Sequence, residues 1–197
     1  NELKGATFDN FFVKTTEERQ MLEFVKGQVQ KYLAGMTGNT LISGSTGIGK
    51  SHLSLALAKE INESFREKHE PKSVLFVSLT EIIKQIKEGW AYGRNANLTE
   101  YEAVKKLVDV DFLIIDELGA KNGTVTPKSD WEQDFLFDII NNRETTIFNT
   151  NLDSSELRTV YNARNSSRIL KGLEGNTFKA FTIKDKRYTI NTVRGEF

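Results

Sequence analysis

Hydrophobic positions along the chain alternate between two spacings, a helical stripe and a short continuous run, and the alternation predicts the elements. Leu22, Val25, Val29 and Leu33 share one helical face behind Thr15, whose partner Glu18 three residues on forms a capping-box signal. Gly35 and Gly38 close that helix. Thr40-Leu41-Ile42-Ser43 reads as a short strand, residues 44–49 as a glycine-rich loop, and Leu53, Leu57, Ile61 and Phe65 as the stripe of the next helix. Residues 73–79 predict a buried strand, 80–90 the helix after it, and 95–98 a loop. Asp111 then leads into Phe112-Leu113-Ile114-Ile115, an unbroken apolar run of the kind found in a central parallel strand covered on both faces. The reading ends that strand at Asp116-Glu117. After a polar loop over 119–128, Ser129 and Glu132 cap a helix carrying Trp131, Phe135, Ile139 and Ile140. Residues 145–150 predict a further strand, Asp153 with Glu156 opens a short helix, and 178–183 with 188–193 predict a strand hairpin around the charged turn 184–186.

Strands alternating with helices imply an α/β architecture around a mainly parallel sheet. With 197 residues, 38% of them hydrophobic, the expectation is one domain over residues 1–197 with a substantial core. Composition removes several function classes. There is no cysteine and only 2 histidines, so disulfide scaffolds, zinc ribbons and cysteine nucleophiles drop out, and the cytoplasm is the expected compartment. Lys+Arg and Asp+Glu are 27 each, so no broad basic field exists to attract nucleic acid. No apolar run approaches the roughly 18 residues of a spanning helix, which excludes a membrane partner of that kind. Opening on Asn1 without Met suggests a piece of a longer chain.

Chemistry concentrates in two places. Gly44-Ser45-Thr46-Gly47-Ile48-Gly49-Lys50-Ser51, followed by His52, matches the phosphate-loop pattern G-x-x-x-x-G-K-[ST]. A chance match in such a chain is on the order of one in a hundred, and a strand before and a helix after it remove the reading as an incidental turn. Glycines let successive backbone N–H groups curl around phosphate oxygens while the helix aims its positive end at the same anion. Lys50 would reach the β- and γ-phosphates of ATP, and the Ser51 hydroxyl would be a ligand for Mg2+. About 65 residues downstream, the apolar strand delivers Asp116 and Glu117 at its carboxyl end, where ligands bind in open parallel sheets. Asp116 would hold the metal, and Glu117 would accept the proton of the attacking water. Alone, such a pair is more often a solvated loop; behind a phosphate loop it becomes a site. At the end of the 145–150 strand, Asn149-Thr150-Asn151 offers a polar amide able to orient the lytic water, or an asparagine satisfied in a turn. Arg164, Arg168 and Arg187 are candidates for neutralising charge on a transferred phosphoryl group across a subunit boundary. Lys84, Lys87, Trp90, Tyr92 and Arg94 form the most suggestive cluster for stacking and clamping single-stranded DNA, against ordinary packing at a helix end.

The order of these motifs resembles the AAA+ ATPases, specifically the helicase loaders of the DnaC/DnaI type and the related IstB transposition helpers. The resemblance rests on Thr7-Phe8-Asp9-Asn10-Phe11, the phosphate loop, Asp116-Glu117-Leu118-Gly119-Ala120, Trp131 and Thr150-Asn151-Leu152. It implies a P-loop NTPase (AAA+) three-layer sandwich with a small C-terminal strand hairpin, and an ATPase acting in DNA replication. It further implies Lys50 and Ser51 for nucleotide and Mg2+, Asp116 and Glu117 as the Walker B pair, and Asn151 as the sensor on the adjacent strand. Ser167-Arg168-Ile169-Leu170 looks like the arginine-finger segment that completes the next subunit's site, and Arg187 like the second sensor arginine. The implied partners are a replicative helicase, single-stranded DNA and further copies of the chain, joined through heterologous ATP-site interfaces. Full-length loaders usually carry an N-terminal helicase-gripping domain, and this chain begins where the ATPase core begins. A transposition-helper role, and a nucleotide-dependent binding module with little turnover, are the alternatives.

Overall fold

The computed structural model describes residues 2–92, 97–119 and 125–186. Five strands, β1 (Thr40–Gly44), β2 (Val74–Ser78), β3 (Phe112–Leu118), β4 (Thr146–Thr150) and β5 (Thr177–Ala180), form one sheet in the order β2-β3-β4-β1-β5. Every pairing is parallel. Among the described residues seven α-helices cover it: α1 (Thr16–Leu33), α2 (Lys50–Glu67), α3 (Leu79–Gly89), α4 (Glu100–Asp109), α5 (Asp130–Ile140), α6 (Ser154–Val160) and α7 (Ala163–Ile169).

Side chains alternate across a strand, and here the alternation sorts them into two cores. Ile42, Ile114 and Ile147 point to one face and meet Leu53, Leu57 and Ile61 of α2, with Val25 and Val29 of α1 behind. Leu41, Leu113, Ile115 and Phe148 point to the other and meet Leu79, Ile86, Leu107, Phe135, Ile139, Leu157 and Ile169. Two helical layers therefore sandwich the sheet, and the unbroken apolar run 112–115 is explained by burial on both sides.

The capping boxes read at Thr15/Glu18, Ser129/Glu132 and Asp153/Glu156 are all formed. A fourth, Thr99/Glu102, opens α4. That helix escaped the pattern because it buries only Ala103 and Leu107, too short a stripe to register. The polar helix α7 escaped for a different reason. Its Asn165 Nδ2 donates to Gln133 O and Oε1 (2.8 Å each), and Asn39 Nδ2 donates to the carbonyls of Arg168 and Ile169 (2.8 and 3.2 Å). Long-range polar contacts hold it, with Ile169 as its one buried hydrophobic side chain.

Two boundaries are corrected. β3 does not end at the acidic pair: it continues to Leu118 through a register shift between Ile115 and Leu118, with Glu117 in left-handed backbone at φ 59°. A bulge of this kind turns a side chain away from the regular alternation. The strand expected over 178–183 is the shorter β5, paired parallel to β1; the second arm of the expected hairpin, 188–193, lies outside the described residues.

Candidate nucleotide site

β1 leads straight into the glycine loop, and α2 begins at Lys50 behind Gly49, which holds φ 100°. A Cβ at Gly49 would come within 2.5 Å of the Phe11 ring, so only glycine fits both the backbone and the space. No side chain caps the amino end of α2, and its first turn carries no acidic residue. The end of this helix nearest the loop thus keeps its N–H groups and positive dipole for an anion.

The loop, the acidic pair and the tip of β4 converge on one cavity of about 480 Å³, lined by Thr46, Gly47, Gly49, Lys50, Ser51 and His52 from the loop side and by Asp116, Glu117, Asn149, Thr150 and Asn151 from the strand ends. Lys50 Nζ donates to Gly44 O (2.8 Å), Ser45 O (2.7 Å) and Asn151 Oδ1 (2.7 Å), so all three ammonium protons are engaged by the protein itself. Asn151 also donates through Nδ2 to Thr46 Oγ1 (3.1 Å). Asp116 is buried and accepts from Asn149 Nδ2 at 3.0 Å. Glu117 is exposed, and the hydroxyl of Ser78 on β2 donates to its Oε2. Ser51 and Asp116 bring a hydroxyl and a carboxylate to the cavity, and Glu117 adds a second carboxylate. Among the described residues no group of three or more His, Asp or Glu could cage one.

Burial pulls the Lys50 ammonium down to about 8, with the Asp116 carboxylate opposing the shift. Lys50 is therefore charged below that value and neutral above it. Affinity for a triphosphate should fall about tenfold between about pH 7 and 9 as the empty site loses its cation. Fluorescent-nucleotide titrations across that range check this, and a flat profile would remove the Lys50 charge from binding.

The amino-terminal segment also contributes. Phe11 and Phe12 line the cavity, His52 Nε2 lies 2.8 Å from Thr7 O, and its ring packs on Phe11 with centroids 5.5 Å apart. Lys186 reaches the same corner. Its Nζ sits 3.8 Å from the Phe11 ring centroid, pairs with Glu18 at 3.3 Å and donates to Phe12 O, while its backbone N–H donates to Gly47 O at 3.0 Å. No spacing in the sequence ties Phe12 or Lys186 to the loop; Arg187 lies outside the described residues.

Arg168 is not in the cavity. Its carbonyl is held by Asn39, the residue before β1, and its Nε donates to Asn141 Oδ1 (2.9 Å) just past α5. Both anchors sit at the amino end of the sheet, whereas the glycine loop leaves the carboxyl end. Arg164 pairs with Asp134 (2.6 Å) and lies over the Phe137 ring (3.9 Å). In the α3 cluster the rings are accessible but the two lysines are paired. Trp90 and Tyr92 are 58% and 69% exposed, while Lys84 faces Glu88 (3.9 Å) and Lys87 faces Glu132 (3.6 Å). Trp90 meets Trp131 edge-on at 4.9 Å; Arg94 lies outside the described residues.

A parallel sheet with a glycine loop after β1, an acidic pair on β3 and β4 between them defines a P-loop nucleotide-binding protein of the AAA+ type. The chain belongs to the family of IstB-like ATP binding proteins, which matches residues 8–170. It is 25% identical over 173 residues to the replicative helicase loader DnaC of Escherichia coli K12, covering 86% of this chain and 64% of that protein. The chain thus spans just under two thirds of the curated relative's length. Crystal structures of DnaI and of the DnaC helicase loader share the fold. DnaI has a TM-score of 0.66 at 21% identity, covering 92% of this chain and 93% of that one. For the DnaC helicase loader the TM-score is 0.66 at 19% identity, covering 92% and 99%. No helix among the described residues is long and apolar enough to cross a membrane.

Proposed function

We propose that this chain is the ATPase core of a replicative helicase loader: it binds and hydrolyses ATP, assembles with further copies through heterologous contacts at the ATP sites, holds single-stranded DNA and helps place a replicative helicase on it. The observation that carries the reading is the convergence of Lys50, Asp116, Glu117 and Asn151 on one cavity. Likeness to DnaC supports the class of partner.

In this reading the loop N–H groups and the amino end of α2 take the phosphate oxygens. Lys50 leaves the Gly44 and Ser45 carbonyls and meets the β- and γ-phosphates, which releases the Asn151 amide toward the attacking water. Glu117 accepts the proton of that water. Its contact with the Ser78 hydroxyl in the resting structure must loosen for this to happen. His52 and Phe11 also line the cavity and are assigned to the nucleoside end. Ser51 and Asp116 would hold Mg2+. A hydroxyl and one carboxylate suit an ion that keeps waters and phosphate oxygens as its remaining ligands, and when bound it neutralises phosphate charge. Arg168 is separated from its own loop by the length of β1, roughly 15 Å at about 3.3 Å per residue, so it is offered to a neighbouring copy's site. Such a contact is head-to-tail. Arg187 remains assigned as second sensor arginine on the resemblance alone.

The exposed Trp90 and Tyr92 rings are the surface proposed for single-stranded DNA, by stacking more than by charge because the neighbouring lysines are paired. A second reading, a helper ATPase for a transposase, rests on the resemblance to the IstB transposition helpers and is compatible with the match to the IstB-like ATP binding proteins. Co-purification of the full-length protein with a replicative helicase or a transposase, with and without ATP, decides between them. ATP-dependent retention of the helicase is expected, and of the transposase alone would reverse the assignment. In the same preparation Trp90→Ala should weaken oligonucleotide binding about tenfold; unchanged affinity would leave Trp90 a packing residue.

A further inference from the structure

Asn149 is fully buried in the middle of the sheet, in a strand whose neighbouring positions are Ile147 and Phe148. A buried amide is costly unless both of its ends are satisfied. Here they are. Its Nδ2 donates to Asp116 Oδ1 (3.0 Å), and its Oδ1 accepts from the Ser54 hydroxyl (2.8 Å), itself fully buried on α2. The orientation follows from the partners. An ionised carboxylate can only accept, so the amide must turn its N–H toward Asp116, and Ser54 can donate to the oxygen that remains.

The spacing makes this one of two rungs. Lys50 and Ser54 are four apart on α2, a rise of about 6 Å, and Asn151 and Asn149 are two apart along β4, about 6.6 Å. The helix runs back along the strand, so Lys50 meets Asn151 at the cavity and Ser54 meets Asn149 one step deeper. The upper rung must break when Lys50 moves to phosphate. The lower rung, Ser54–Asn149–Asp116, does not depend on Lys50.

Resting on the nucleotide-site reading, we propose that Asn149 is a positioning residue for Asp116. Clamped by Ser54, it fixes one carboxylate oxygen so that the group is presented to the divalent cation in one orientation while Lys50 changes partners. Removing it should weaken the use of metal more than it weakens the phosphate loop's own hold on nucleotide.

The test is fluorescent-nucleotide binding to the wild-type protein, Asn149→Leu and Ser54→Ala, in EDTA and across a Mg2+ titration, with thermal melting of each. For Asn149→Leu the Mg2+ concentration at half effect should rise about tenfold or more, as when outer-shell partners of metal ligands are removed, and any loss of affinity in EDTA should be clearly smaller. Ser54→Ala, which frees the amide but deletes only a hydroxyl, should keep the fold and show a smaller shift in the same direction. If Asn149→Leu does not fold, Ser54→Ala and the conservative Asn149→Thr carry the test. Asn149→Thr, which retains a hydroxyl donor toward Asp116, should fall between wild type and the Ser54→Ala value or match the latter. An unchanged Mg2+ requirement in the folded variants, or equal losses with and without Mg2+, would overturn the proposal and leave Asn149 a packing residue. Failure of the wild-type protein to bind nucleotide under either condition would instead overturn the site on which the inference rests.

Discussion

Lys50→Ala should lower ATP affinity about 100-fold, a loss of about 2.7 kcal/mol, and abolish ATP-dependent assembly. Two effects combine. The charge that would meet the phosphates is gone, and the carbonyls of Gly44 and Ser45, with Asn151 Oδ1, lose the donor that holds loop and strand tip together. The alanine should not unfold the protein, because the core beneath the loop is supplied by Ile48, Leu53 and Leu57 and not by the lysine stem. Nucleotide titration alongside light scattering or sedimentation with and without ATP reads both consequences. Assembly that persists undiminished in this variant would show that nucleotide does not drive it.

Glu117→Gln should separate binding from turnover. The amide is nearly isosteric and can still accept from Ser78, so the bulged end of β3 should keep its shape, but it cannot take a proton from water. Phosphate release should fall by about 100-fold or more while nucleotide affinity stays within a fewfold of wild type, trapping an ATP-bound form. Single-turnover phosphate release, measured with and without oligonucleotide, is the check. Wild-type turnover in the variant would remove Glu117 from the role of base.

The parts of the fold legible in the sequence are those written as period or as a short fixed motif. The alternation of Leu113, Ile114 and Ile115 across two cores, the three capping boxes and the G-x-x-x-x-G-K-S loop each express a local rule, and each predicts its element within a residue or two. What was not legible depends on residues far apart. α7 is fastened by Asn39 and Gln133 from other elements, which leaves no stripe to read. Asn149 in a strand looks like a turn residue until Ser54 and Asp116 are brought beside it. The left-handed backbone of Glu117 carries no glycine or asparagine to announce it, since the sheet register imposes it. In the candidate site, then, Lys50, Asp116, Glu117 and Asn151 stand out in the sequence as motif residues, whereas Phe11, Phe12 and Lys186 beside them and the Ser54–Asn149–Asp116 chain beneath them do not.

Arg168 and the glycine loop lie at opposite ends of strands that all run one way, so each copy has a head and a tail. If copies join as proposed, through these two features, they line up with a single polarity. Unless the row closes on itself, one terminal copy keeps an unfinished pocket and the other an arginine with nothing to act on, and the row always has one complete site fewer than it has members. Under that proposal, output per molecule would climb with row length, most steeply among the shortest rows.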